Sequence, residues 1–325
     1  MIEEKKKDIK EGVATGTGAT VALFLLCFCT LSSGGDGAVG FGNLLVGLAL
    51  GGFALPAVVS AVRALLYGGK GLLSRALSFV VSLFLAAAAL CVAVRASADV
   101  GIFASGVMEL NCSPTLATAA VLAVGAFMAS LGVTAIKKFA FAALAFAAIS
   151  SVVLLLLATL RGGGAASGLY EVLLGDMFSH ITLSGVAESF LLCVSPSVVA
   201  ASFAAASRKR EIGAGLHSIG GVLVATVILT VCFINVALVP GLDYASSAPY
   251  PYVTAAGSVS VGKLFLRPEG FVYLSYLWTA ITVVAVCIST ICLAVKAKGR
   301  QKKILPYFIG VLALAVSYFD FIPFW

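Results

Sequence analysis

Charge is what this sequence has least of. Lys, Arg, Asp and Glu make up 11% of its 325 residues, against about a quarter in soluble domains, so a water-facing globule is excluded. Histidine is scarcer still. His180 and His217 are the only two, and in the topology below they fall on opposite membrane faces, where they share no metal. HExxH, P-loop and GxSxG motifs are missing, and no nucleophile–base pair replaces them. No catalytic residue, metal site or cofactor is therefore expected. The eight cysteines contain no CxxC pair. Seven lie in apolar runs and Cys112 in a loop, so they read as small hydrophobes packed between helices. The apolar stretches also lack period-two alternation, which excludes a β-barrel.

Long apolar runs are what remains, because hydrophobic residues account for 61% of the chain. A spanning helix needs about 20 of them in succession. Lipid offers no partner for backbone N–H and C=O groups, so each run must be helical. Nine spans are predicted: Val13–Leu31, Ala38–Val62, Ala76–Val94, Leu116–Ile136, Phe139–Leu160, Ile181–Ala206, Ile219–Val239, Phe271–Val295 and Ile304–Phe319. The first reads as a retained helix rather than a cleaved signal, since no small-residue cleavage site precedes a polar domain. The outer loops 96–114, 161–180 and 240–270 are the long ones, and the last, with PGLDYASSAPYPYV, reads as an ordered surface loop. The whole of 1–325 is expected to be one all-α polytopic membrane domain.

Orientation follows from basic residues, which favour the cytoplasmic side. Lys5, Lys6, Lys7, Lys10, Arg63, Lys70, Arg75, Lys137, Lys138, Arg208, Lys209, Arg210, Lys296, Lys298, Arg300, Lys302 and Lys303 share one side. Only Arg95, Arg161, Lys263 and Arg267 fall on the other. Residues 1–12 are then cytoplasmic and the C-terminus lies outside. The net charge of +7 is accounted for by this signal and by contact with anionic membrane lipid, with no nucleic-acid partner.

Glu188 is the acid placed well inside a span, in HITLSGVAESFLLCVSPSVV. A charged carboxylate at mid-membrane costs roughly 2.5–3.5 kcal/mol on insertion scales. Ser184 and Gly185 precede it by a turn, and Pro196, two turns later, removes a backbone hydrogen bond and is expected to break the helix. Broken helices build small-ligand sites in many transporters. The plainer alternative is a hydrogen bond from Glu188 across a helix seam. Gly16, Thr17 and Gly18 form a second candidate at the start of the first span, where two glycines expose backbone groups; a simple lead-in to the helix is the alternative. The Gly- and Ala-rich faces read as helix–helix seams.

The stretch VAESFLLCVSPSV resembles the broken sixth helix of the spore-germination receptor B subunits (GerAB family), a branch of the amino acid–polyamine–organocation (APC) transporter superfamily. SGGDGAV, CSPTLATAAVLAVGAFMASLGVTAIKKFA, LFLRPEGFVYLSYLW and KKILPYFIGVLALAVSYF are similar to four further family segments in the same order. The resemblance implies a LeuT-like fold of two inverted five-helix repeats, residues 13–160 and 181–319, the second lacking its tenth helix. It also implies an amino-acid-like ligand held by Gly16, Thr17, Gly18, Ser184, Gly185 and Glu188 around the break at Pro196. The implied role is nutrient sensing in the cell or inner spore membrane, beside A-type and lipoprotein C-type subunits, to trigger germination. A secondary amino acid transporter, proton-coupled or not, and a structural subunit with a vestigial pocket are the alternatives.

Overall fold

The computed structural model describes residues 17–28, 37–67, 71–106, 113–161, 181–207, 214–239, 250–259, 268–295 and 300–318. These form ten helices and no strand. In chain order they are α1 (Thr17–Phe28), α2 (Gly37–Tyr67), α3 (Leu72–Gly106), α4 (Pro114–Leu131), α5 (Val133–Arg161), α6 (Leu183–Ser207), α7 (Ala214–Leu238), α8 (Pro251–Ser258), α9 (Glu269–Ala294) and α10 (Gln301–Tyr318). Seven, α2 to α7 and α9, are long and apolar enough to cross a membrane, while α1 and α10 are shorter apolar helices. The chain is an all-α integral membrane protein. Segment 1–12, Gly16, His180 and the last residues of the chain lie outside the described residues.

Hydrophobic burial does not separate inside from outside here. Phe53, Phe79, Phe84 and Leu183 are at least 70% exposed, which suits a lipid-facing surface. What is buried instead is α1, where Val21 to Phe24 have no exposure and the helix is covered on every side, as expected of a helix apolar all round. In α9 the stretch from Thr279 to Ile291 is likewise enclosed. The two central helices are neighbours, with Cys27 of α1 close to Tyr276 and Cys287 of α9. Around them α9 packs on α3, α4, α5 and α6, and α2 packs on α6 and α7.

The register can be read from close contacts. Asn43 and Gly47 of α2 lie against Gly185 and Ser189 of α6, so these two helices run parallel. Phe41 stacks on Phe233 of α7 at 4.0 Å, and Gly52 meets Val222, so α7 runs antiparallel to α2. Small residues at these crossings let backbones approach where lipid supplies no hydrophobic drive, as the Gly- and Ala-rich sequence leads one to expect.

Four expectations need correction. First, the helix boundary predicted at the Lys137–Lys138 pair falls instead at Gly132, whose φ of 97° suits glycine and no other residue without strain. Lys137 thereby lies inside α5 and is buried. Second, the predicted loop at 96–114 is helical as far as Gly106. The charges that suggested a loop, Arg95 and Asp99, pair at 3.0 Å one turn apart, and Ala96, Val100 and Phe103 bury the inward face. Third, the loop 240–270 contains α8, started by Pro251 at its first helical position. Fourth, α6 runs unbroken through Pro196. Proline removes one N–H but does not oblige the helix to stop, since neighbouring helices and local adjustment satisfy the freed carbonyl; α2 continues through Pro56 and α10 through Pro306 in the same way.

Candidate small-molecule chamber

The residues nominated by sequence separate into two groups with different neighbours. Thr17 opens the described part of α1, and its hydroxyl accepts a hydrogen bond from Lys137 Nζ at 3.1 Å. Thr20 donates to the Thr17 carbonyl at 2.8 Å. Gly18 crosses α7: a Cβ there would stand 2.8 Å from the His217 carbonyl oxygen, and one on Gly221 would fall on the Gly18 carbonyl. Gly18 is thus a point of backbone contact between helices.

Ser184, Gly185 and Glu188 occupy the first two turns of α6. Thr182 caps this helix, accepting from the Gly185 N–H at 3.2 Å, with the Ser184 hydroxyl 3.5 Å away. The Thr182 N–H in turn donates to Asn43 Oδ1 at 3.1 Å, so a buried side chain of α2 fixes the start of α6. Glu188 is exposed on the bundle surface, as are Leu183, Ala187 and Leu191 beside it. By the α2 register, the Gly18–Gly221 crossing lies about ten residues further along that helix than Gly185, or about 15 Å.

A cavity of about 60 Å³ lies elsewhere, between the central helices and under α8. Leu26 of α1, Phe103 of α3, Ser150 of α5, Cys232 of α7, Tyr252 of α8 and Tyr276 of α9 contribute to its wall. Phe103 is the hub of its aromatic side. Tyr250, Tyr273 and Tyr276 meet this ring at centroid distances of 5.2, 5.5 and 4.9 Å and angles of 75°, 77° and 63°, the edge-to-face geometry that aromatic quadrupoles prefer.

Two phenol hydroxyls there are buried and have no nitrogen or oxygen partner among the described residues, those of Tyr252 and Tyr276. The Tyr252 oxygen lies beside the Cys232 thiol, a weak partner. Leaving such a group unsatisfied costs about 1–3 kcal/mol. Burial, and secondarily the Asp99 carboxylate, holds the Tyr250 phenol above its ordinary value, so it stays a neutral donor at physiological pH. Asp99 itself lies one turn before Phe103 on α3, and Arg95 one turn before that, so a charged pair continues the stripe that faces the aromatic cluster.

In the sequence Tyr250 and Tyr252 read as marks of a surface loop, while Tyr273 and Tyr276 fall within the span predicted from Phe271 to Val295. The signal that locates them is their clustering, YPY at 250–252 and VYLSY at 272–276, on either side of one connection. Lys137 reads as a loop residue in the sequence because a basic pair ordinarily marks a membrane edge. Compared with known proteins, the chain matches no family model and no curated protein.

Proposed function

We propose that this chain is the membrane subunit of a nutrient receptor of the germinant-receptor B type, sensing a small amino-acid-like molecule. The observation that carries this reading is the chamber beside α1. Clefts and cavities with an apolar wall and a few convergent polar groups are the usual build of small-molecule sites. At roughly 10–15 Å³ per water in this measure, its volume of about 60 Å³ takes about four to six non-hydrogen atoms, the size of glycine or alanine. The Tyr276 hydroxyl is open to a guest, and that of Tyr252 has only the weak Cys232 thiol to exchange for one. The Arg95–Asp99 pair lies outside the chamber wall, one and two turns before Phe103 on α3. In this reading the protein has nine spans in a LeuT-like arrangement, its N-terminus is cytoplasmic, and α8 lies outside. The basic α2–α3, α6–α7 and α9–α10 connections support that orientation, and A- and C-type subunits are the partners.

A secondary transporter using the same chamber is the second reading, favoured by Lys137. An ionisable side chain that is 2% exposed inside a spanning bundle is the kind of group from which proton relays are made.

Thermal unfolding of the purified full chain against each of the twenty proteinogenic amino acids tests the first reading. Stabilisation by one or more of the small ones is expected, approaching about 2.7 kcal/mol at a hundredfold excess over Kd. If none of the twenty shifts the midpoint, the ligand class is wrong. Proton-driven uptake of the stabilising amino acid into vesicles would replace sensing by transport.

A further inference from the structure

A second site lies on the lipid-facing surface of the bundle, apart from the chamber. A groove of about 680 Å³ runs between the end of α2, the first turns of α3 and the end of α9. Its polarity changes along its length. At one end it offers the Arg75 guanidinium with the hydroxyls of Ser74 and Ser78; further along α3 the wall becomes Phe79, Leu83 and Ala86, opposite Ala294 and Val295 of α9. From Arg75 to Ala86 is eleven residues of helix, about 16 Å, or half the hydrocarbon thickness of a bilayer. Phe79 and Leu83 are 70% and 62% exposed, so the groove opens sideways toward lipid.

The sequence adjoining these helix ends carries charge of one sign. No acid occurs from residue 60 to 98 or from 270 to 319, whereas Arg63, Lys70, Arg75, Lys296, Lys298, Arg300, Lys302 and Lys303 all fall there. The Ser78 hydroxyl already donates to the Leu66 carbonyl at 3.3 Å and Ser82 to the Ser78 carbonyl at 2.7 Å. Arg75 is therefore the group that gives the site its selectivity.

We propose that this groove holds one anionic glycerophospholipid, its phosphate against Arg75 and one acyl chain along Phe79, Leu83 and Ala86. A cationic mouth without the apolar floor would suit free phosphate as well, and an apolar floor without the cation would suit any lipid. Both together, spaced at the depth of a half-bilayer, match a phospholipid of net negative charge.

The test is native mass spectrometry of the full chain released from detergent micelles carrying equal amounts of phosphatidylglycerol and phosphatidylcholine. The wild type is expected to retain one phosphatidylglycerol in preference to phosphatidylcholine by about fivefold, the effect of a single basic side chain at an anionic surface. Glycerol phosphate added in excess leaves that preference standing. Arg75→Gln brings the two lipids level, and Ala86→Trp, which fills the apolar half, lowers the retention of both. Lys138→Gln, at an exposed basic residue outside the groove, keeps the preference. Three results would overturn the proposal: equal retention of the two lipids by the wild type, displacement by glycerol phosphate, or a loss of preference in Lys138→Gln as large as in Arg75→Gln. Circular dichroism of each variant confirms that helix content is kept, and Arg75→Lys, which retains the charge, restores most of the preference if Arg75→Gln proves poorly folded.

Discussion

Lys137 of α5 reaches the Thr17 hydroxyl at 3.1 Å across 120 residues of sequence, and both side chains are buried, at 2% and 0% exposure. The contact joins the start of the enclosed α1 to a helix that also walls the chamber. Substitution of the two partners is not equivalent. Thr17→Val takes an acceptor from a buried amine, whereas Lys137→Met removes the costly group itself and leaves only a threonine hydroxyl. Thr17→Val is accordingly expected to destabilise by about 1–3 kcal/mol, and Lys137→Met by less. Unfolding midpoints of the single and double variants in detergent check the order, and a double-mutant cycle gives the coupling.

Neighbouring glycines on α7 should respond in opposite directions. A methyl on Gly221 meets the Gly18 carbonyl, a backbone atom that cannot swing aside, while one on Gly220 has nothing within 4 Å. Gly221→Ala is expected to cost about 1–3 kcal/mol by overpacking. Gly220→Ala should be neutral or stabilising by up to about 1 kcal/mol, from helix propensity alone. The same unfolding assay distinguishes them, and equal effects would mean that the α1–α7 crossing is looser than the Gly18–Gly221 contact requires.

The helices were legible from the sequence because continuous apolar runs leave the backbone no alternative in lipid. Where boundaries were misplaced, charge was the misleading signal. Arg95 and Asp99 satisfy each other along α3, and Lys137 finds Thr17 inside the bundle, so neither marks a helix end. The site was harder to read. Glu188 drew attention as an acid within a span, yet helix phase turns it to the surface. The chamber is assembled from Leu26, Phe103, Ser150, Cys232, Tyr252 and Tyr276, six residues on six helices, each of an ordinary type for a membrane segment. Their convergence is a property of packing and has no short motif.

Tyr276→Phe separates a packing role from a binding one. Its hydroxyl is buried without a hydrogen bond, so removal should leave the ligand-free protein as stable or about 1 kcal/mol more stable. The same change should weaken the stabilisation given by a bound amino acid about tenfold in concentration, as expected for one lost neutral hydrogen bond. A drop in ligand-free stability would instead assign the hydroxyl to the fold.

Glu188→Gln offers the converse. Because Glu188 faces outward from α6, the substitution is expected to leave amino-acid stabilisation unchanged, measured as the midpoint shift over the same concentration range. A lost shift at normal helix content would return the site to Ser184, Gly185 and Glu188.

The chamber as the binding site is most directly tested by an experimental density map of the full chain saturated with whichever proteinogenic amino acid stabilises it most. Density for that molecule among Phe103, Tyr252 and Tyr276 is the predicted result. Density against Thr17, Gly18, Ser184 or Glu188, with the chamber closed over by side chains, would contradict it.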